Sequence, residues 1–475
     1  MLQRAPFPRV EPARVERAKR ALSRALGDSR VTDDPAVLEG FAADVSDQAS
    51  VMPDVVVRAT SADDIAVALE VASDCGVPIT PRGAGTGKSG GCVPVHGGIC
   101  LSTLGMTAIE EIDRDEHLVV AQPGVILGDL FDAVEAEGLF YPPDPNSWKM
   151  CSLGGTVAEN AAGPRTYKYG PTRDYVLGLD VITADGRRLR CGRRTKKGVT
   201  GYDVTSLLVG SEGTLAVTER ATLRLLPKPA EVVTLLVLFD EVGASAQAVA
   251  AIAAAGVTPR CLELIDEACL RAMRKQGVAV DAQAKALLIM EVDGDPAACE
   301  RDMERAGQVA MDHGARDVLV AQDAAQRERV WSVRRDLSYT TRKMAAHKVS
   351  EDVVVPRMRM PALIAEVQRI GERRKITTLS YGHAGDGNLH VNLLWNEPDE
   401  APRVERALDD LFGTVLEMGG TLSGEHGIGT SKAAFLPREQ SLELIDLQRD
   451  LKSVFDPKGV LNPGKIFPHR GHGHC

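Results

Sequence analysis

Several features are missing from this sequence, and each absence narrows what it can be. Its nine cysteines, at positions 75, 92, 100, 151, 191, 261, 269, 299 and 475, include no Cys-x-x-Cys pair. That excludes an iron–sulfur cluster or a cysteine-rich zinc site built by local spacing. Structural disulfides are not expected in so long a chain without a secretion signal. The N-terminal stretch is charged throughout and has no apolar h-region, so a thiol-reduced, cytoplasmic protein is expected. No apolar run reaches the roughly 20 residues that cross a bilayer; the most apolar stretch, Val242 to Val257, predicts a buried helix. Positive charge is not in excess either, with 56 Lys and Arg against 66 Asp and Glu. Nucleic acid, which calls for a basic stripe, is therefore not an expected partner. No internal repeat is present.

What is there is an ordinary globular composition, 44% hydrophobic and 26% charged over 475 residues, enough for two or three domains. Residues 1–50 read as a charged helical leader. From 51 to 229, an apolar run at Asp54-Val-Val-Val-Arg-Ala predicts a strand. Ser61-Ala-Asp-Asp64 predicts a capped helix ended by Gly76, and Val77-Pro-Ile-Thr80 a second strand. A strand at Leu118 to Gln122, a helix at Leu127 to Glu137 and a strand pair around Val181 and Leu189 extend this α/β unit to Pro227-Lys-Pro229. A second, α+β unit follows over 230–455, with strands near Val232–Phe239, Ala286–Val292 and Thr377–Tyr381. Residues 456–475 form a return segment, Leu461-Asn-Pro-Gly-Lys-Ile-Phe467, and a histidine-bearing tail that reads as a free end.

The loop Pro81-Arg-Gly-Ala-Gly-Thr-Gly-Lys-Ser-Gly-Gly91 fits neither familiar phosphate motif. A Walker loop needs a glycine where Arg82 stands. A Rossmann fingerprint needs a helix to begin inside it, which Gly90-Gly-Cys-Val-Pro-Val-His-Gly-Gly98 cannot do. What remains is an irregular loop rich in free backbone N–H groups, able to wrap a pyrophosphate as a nest of amides.

With Val93-Pro94 and Gly97-Gly98, this loop resembles the phosphate loop of the vanillyl-alcohol-oxidase/p-cresol-methylhydroxylase (PCMH) type of FAD domain. Gln122-Pro-Gly-Val125, Tyr141-Pro-Pro-Asp-Pro145, Ser152-Leu-Gly-Gly-Thr-Val-Ala-Glu-Asn-Ala-Ala-Gly163 and Gly210-Ser-Glu-Gly-Thr-Leu-Ala-Val217 extend the resemblance to the glycolate oxidase subunit and D-lactate dehydrogenase branch. The resemblance spans roughly residues 50–467. It implies an α+β fold: a two-part α/β FAD-binding domain over 51–229, and over 230–455 a cap domain with an antiparallel sheet that binds substrate and metal. The C-terminal segment then returns to the FAD domain. Carried over by position, the FAD contacts are Arg82, Gly83, Ala84, Gly85, Thr86, Gly87, Lys88, Ser89, Pro123, Gly124, Pro143, Ser152, Gly155, Thr156, Asn160, Gly163, Glu212, Gly213, Val217 and Asn462. Relatives that tether FAD often use a histidine in the first glycine loop. Here none precedes His96, so FAD is expected to be non-covalent.

The second unit carries Tyr381-Gly-His383-Ala-Gly-Asp-Gly-Asn-Leu-His390-Val-Asn392, followed by Ser423-Gly-Glu425-His426-Gly-Ile-Gly429. Two histidines across a glycine-rich turn and a Glu-His pair supply an N,N,O ligand set with a spare imidazole, leaving coordination positions open. The motifs HxGDGNLH and GEHGIG resemble the metal-binding 2-hydroxy-acid dehydrogenases of the same family. The resemblance implies His383, His390 and Glu425 as ligands of a divalent metal, Zn²⁺ or Mn²⁺, and His426 as the base. Asp386 and Asn388 are expected to fix the turn by bonding backbone amides, and Asn392 to face the substrate. Val330-Trp-Ser-Val-Arg334 matches the family's W-x-x-R segment and makes Arg334 the carboxylate grip, with Arg335 directed elsewhere. Relatives place a lysine two residues before the Asp-Val-x-x-Pro strand. Here that position, before Asp352, is Ser350, and Lys348 stands two further back on the same face.

The activity so implied is FAD-dependent oxidation of a D-2-hydroxy acid, such as D-lactate or glycolate, to the 2-oxo acid. With no second redox centre in the chain, the flavin needs an external electron acceptor: a quinone, a cytochrome, an electron-transfer flavoprotein, an iron–sulfur subunit or oxygen. Such a partner is the one expected route to the inner membrane, and a homodimer stays open. Two alternatives remain: a non-redox FAD enzyme of this fold, similar to alkyl-dihydroxyacetonephosphate synthase, and an inactive subunit of a glycolate oxidase complex.

Overall fold

The computed structural model describes residues 7–335 and 337–468; the histidine-bearing tail lies outside the described residues. The N-terminal unit is built on two sheets. The first has four strands in the order Val31–Thr32, Val55–Arg58, Ile99–Ser102, Ile79–Arg82. Its last three strands run parallel, and the edge strand Val31–Thr32 is antiparallel. The leader is thus not helix alone, because it supplies that edge. The helix Ala62–Cys75 opens on a capping box between Ser61 and Asp64 and closes at Gly76, whose φ of 63° is the left-handed conformation glycine adopts without strain.

The second sheet is antiparallel, in the order Ile109–Asp113, Leu118–Ala121, Ala216–Arg224, Val176–Thr183, Arg188–Gly192. The return segment lies on the first sheet, where the Asn462 amide donates to Ile79 O at 2.7 Å and the Ile79 amide to Val460 O at 2.8 Å.

The second unit is organised by a seven-stranded sheet, in the order Ala315–Val320, Glu231–Phe239, Ala286–Gly294, Cys261–Ile265, Thr377–His383, Asn388–Trp395, His347–Val354. Every neighbouring pair is antiparallel. The helices Val242–Ala254, Pro296–Asp312, Met360–Arg374 and Ala401–Glu417 share with one face a hydrophobic core that includes Val237, Leu264, Leu288, Leu389, Val391 and Phe412. Side chains alternate along a strand, so residues between those core positions point to the other face, toward the N-terminal unit. Register aligns them in rows: Glu263 opposite His383, Tyr381 opposite His390, His390 opposite Asp352, and Asn392 opposite Ser350.

The two units meet through polar contacts. Lys168 pairs with Asp293, Tyr169 donates to Asp293 at 2.7 Å, and Arg342 reaches Asp47 at 3.0 Å. Phe412, fully buried and edge-on to Phe435 at 4.7 Å, anchors the helices behind the histidine-bearing strands. Phe412→Ala should cost about 3–5 kcal/mol, and a thermal melt should show the unfolding midpoint falling by several degrees.

Candidate functional site

Between the two units lies a cavity of about 660 Å³. One wall is the glycine loop from Arg82 to Lys88. The loop leaves the strand Ile79–Arg82 and is held at its far end by Ser89, whose carbonyl accepts the amides of Thr430 and Ser431 at 2.9 and 3.1 Å. Glycines here keep the backbone close to its neighbours: a Cβ on Gly83 would lie 2.2 Å from Ser152 Oγ. Pro123, Ser152, Gly155, Thr156, Glu212, Gly213 and Val217 continue the lining, together with Arg334, His383, His390, Glu425 and His426 at the opposite end. The cavity offers polar groups without partners: Ser152 Oγ and Glu159 Oε2 are buried and make no hydrogen bond among the described residues. A long space lined by a glycine-permitted backbone and unsatisfied polar groups suits a dinucleotide such as FAD.

The histidine end is built by the pleat. His383 ends one strand, His390 lies near the start of the next, and the four-residue turn 384–387 joins them. Asp386 accepts the Asn388 amide at 3.3 Å and so fixes the turn. Asn388 does something else: its Nδ2 donates to Asp352 Oδ1 at 2.5 Å and to Val353 O at 3.1 Å. One oxygen of Asp352 accepts the successive amides of Gly424, Glu425 and His426 at 2.9, 2.8 and 3.0 Å. That carboxylate holds the loop carrying Glu425 and His426 against the strands. Burial would raise Asp352, but His426, Lys432, His390 and these amides hold it well below the usual carboxylate range.

Ligand atoms of His383, His390 and Glu425 lie within 4.8 Å of one another. The two Nε2 atoms stand 3.6 and 3.4 Å from Glu425 Oε1. These separations are long for hydrogen bonds and close to the roughly 3.3 Å between two ligands of one tetrahedral Zn²⁺. His383 Nδ1 bonds Glu263 Oε1 at 2.5 Å, which directs Nε2 into the gap. Burial disfavours a charged His383, yet Glu263 and Glu425 hold it well above the ordinary histidine range. The N,N,O donor set at the gap fits a divalent cation. His426 is stacked on His390 with ring centroids 5.4 Å apart. Burial pushes His426 down to about 4, so it is a free base near neutral pH.

Arg334 donates through Nε to Glu263 at 2.6 Å and lies over the Tyr381 ring. Burial would raise Glu263, but His383 and Arg334 hold it at about 2. Arg335, expected to point away, also lines the cavity, while pairing with Glu328.

Other expected contacts lie outside the lining. Lys348 shares the predicted face but donates to Thr341 Oγ1 at 2.9 Å and Ser338 O at 3.3 Å, leaving Ser350 at the cavity. Asn392 is buried and donates to His390 O at 3.1 Å. Ser89 bonds Thr430 and Ser431 through its carbonyl, Asn160 accepts the Arg173 amide at 2.8 Å, and Asn462 bridges Gly91 O and Glu212 O. Gly124 and Gly163 are close-packed against the backbone of Thr103 and Asp144; Pro143 is buried. All of these shape the walls from behind.

Val45 and Trp148 line the cavity although no motif marked them, and Glu159, Ser350 and Tyr381 line it although no site role was expected of them. Tyr381 was findable from its row with His383, two residues on along one strand; Val45 and Trp148 carry no such signal.

The chain matches the family described as FAD linked oxidases, C-terminal domain, over residues 228–466. It also matches the FAD binding domain over residues 53–192. The chain belongs to the FAD-linked oxidase family. It is 39% identical over 452 residues to "Glycolate oxidase subunit GlcD" of Bacillus subtilis (strain 168), covering 94% of this chain and 96% of the relative. It is 32% identical over 472 residues to "D-lactate dehydrogenase" of Anaerostipes hadrus, covering 97% and 98%. The fold is shared with p-cresol methylhydroxylase (TM-score 0.80, 15% identity, 97% and 98% covered). It is shared also with alkyldihydroxyacetonephosphate synthase (TM-score 0.75, 19% identity, 97% and 87% covered). It is thus an FAD-linked oxidoreductase of the glycolate oxidase/D-lactate dehydrogenase type.

Both oxygens of Asp352 accept hydrogen bonds, so an asparagine there must turn its NH₂ toward either Asn388 or the three amides. A divalent metal held by His383, His390 and Glu425 would bind about 10–100-fold more weakly in Asp352→Asn, read as metal content after dialysis against graded chelator, with FAD content retained.

Proposed function

We propose that this protein oxidises a small D-2-hydroxy acid, D-lactate, glycolate or similar, to the 2-oxo acid, with a divalent metal held by His383, His390 and Glu425. The observation that carries this reading is the convergence of those three side chains with His426 and Arg334 at one end of the cavity whose other wall is the glycine loop. Bound there, non-covalent FAD supplies a two-electron acceptor, and Zn²⁺ or Mn²⁺ supplies Lewis acidity toward a hydroxyl.

The chain's own residues supply geometry and proton transfer. Arg334 offers the guanidinium edge left free by its Nε bond to Glu263, a shape matched to a carboxylate. His426 Nε2, 3.7 Å from Glu425 Oε1, stands beside the ligand set with its base form populated at neutral pH. It is therefore placed to accept the substrate's hydroxyl proton.

Electrons then leave to an external acceptor: a quinone, cytochrome, electron-transfer flavoprotein, iron–sulfur subunit or oxygen. The glycolate oxidase relative is itself named a subunit, which supports a protein partner. We place the reaction in the cytoplasm, with any membrane contact made through the acceptor; among the described residues no helix is long and apolar enough to cross a membrane.

Anaerobic D-lactate or glycolate should bleach the flavin. His426→Ala should slow that bleaching by about 10²–10⁴-fold with FAD still bound; near-normal bleaching would reject the base. EDTA treatment should abolish reduction and added Zn²⁺ or Mn²⁺ restore it. Full activity in metal-free protein would remove the cation from the reaction. Turnover with artificial dyes but not with oxygen would show a dehydrogenase.

A further inference from the structure

Lys88, which the resemblance placed among the FAD contacts, lines the cavity as a cation that the reaction above does not use. Lys88 sits at the end of the glycine loop, and the backbone on either side of it is tied down. The Gly87 carbonyl accepts the Val45 amide at 3.0 Å, and the Ser89 carbonyl accepts the amides of Thr430 and Ser431. The loop that ends in Thr430 is the one that carries Glu425 and His426, so Lys88 is brought to the substrate end of the cavity, which its accessible side chain lines. Among the described residues it makes no hydrogen bond or ion pair. Every other lysine or arginine discussed at this end is engaged: Arg334 with Glu263, Arg335 with Glu328, Lys348 with Thr341 and Ser338. Enclosure lowers the Lys88 ammonium from its ordinary range; the strongest charges acting on it are those of Glu425, Arg334 and Asp352.

An accessible ammonium with no partner in the protein is free to take its counter-charge from a ligand in the cavity. The 2-hydroxycarboxylate head brings one carboxylate, and Arg334 is shaped for it. Lys88 is left for another anion.

We propose that Lys88 is a specificity-determining residue that binds a second anionic group of the substrate, so that the site favours 2-hydroxy dicarboxylates over glycolate or D-lactate. This rests on the hydroxy-acid reading above. The commitments differ, however: that reading needs only the head group, whereas this one needs a charged tail reaching the glycine loop.

The test is anaerobic flavin reduction by D-lactate, D-malate and D-2-hydroxyglutarate in the FAD- and metal-loaded wild type, Lys88→Met and Lys88→Arg. Calorimetric binding of pyruvate and 2-oxoglutarate to the oxidised proteins gives a readout independent of turnover. The wild type should half-saturate with at least one diacid at a concentration about 30-fold or more below that for D-lactate, the scale of one buried charge pair. Lys88→Met should erase most of that ratio in both assays, and Lys88→Arg should keep most of it. A wild type that treats D-lactate and both diacids alike overturns the inference while leaving the hydroxy-acid reading intact. So does a diacid preference that survives in Lys88→Met. Loss of FAD from Lys88→Met would assign the ammonium to the cofactor and overturn it too. Failure of every 2-hydroxy acid to reduce the flavin would bring down both readings together.

Discussion

The candidate site depends on one buried carboxylate. Asp352 lies on the last strand of the seven-stranded sheet, directly opposite His390, and one of its oxygens takes three consecutive amides of the loop that bears Glu425 and His426. The strands hold two imidazoles through their pleat, but Glu425 and His426 belong to an irregular segment with no ladder of its own. Without an acceptor for those amides the segment would keep buried N–H groups unpaired, a cost of about 1–3 kcal/mol each. Asp352 meets that demand and, by the same bonds, sets where Glu425 stands relative to His383 and His390.

A second carboxylate does the corresponding work across the gap between the units. Glu212, from the N-terminal unit, accepts the amides of Ile428 and Gly429 at 2.8 and 2.7 Å. The loop with Glu425 and His426 is therefore tied at one end to its own sheet and at the other to the wall of the glycine-lined cavity. Glu159 lies beside Glu212. Burial and the Glu212 charge raise Glu159 well above the usual range, so the pair avoids two adjacent negative charges where the units meet. The placement of Glu425 and His426 and the geometry of the cavity are coupled through a handful of backbone amides.

The fold is shared with proteins as differently named as p-cresol methylhydroxylase and alkyldihydroxyacetonephosphate synthase, and such sharing says nothing of substrate. Ser350 faces the cavity while Lys348 is turned to Thr341, and Lys88 carries an ammonium into the space in front of Glu425.

Local patterns in the sequence were enough for the capped helix from Ser61, the strand at Val55–Arg58, the apolar helix from Val242 and the glycine loop, because capping, periodicity and backbone freedom act over a few residues. Motif spacing likewise named His383, His390, Glu425 and His426 together, since a turn of fixed length and two strands of period two leave little freedom in where the side chains go. Tertiary structure decided the rest. The leader's strand needed a partner 26 residues away, Val57 for Val31. Glu263 and Asp352 became supports for the histidines only through pairing with strands far along the chain. Asn392, Lys348 and Asn462 carried the right chemistry, but their neighbours drew them into hydrogen bonds behind the cavity wall. A residue's type and strand face are local properties; which acceptor lies nearest its polar atoms is settled only when distant segments pack together.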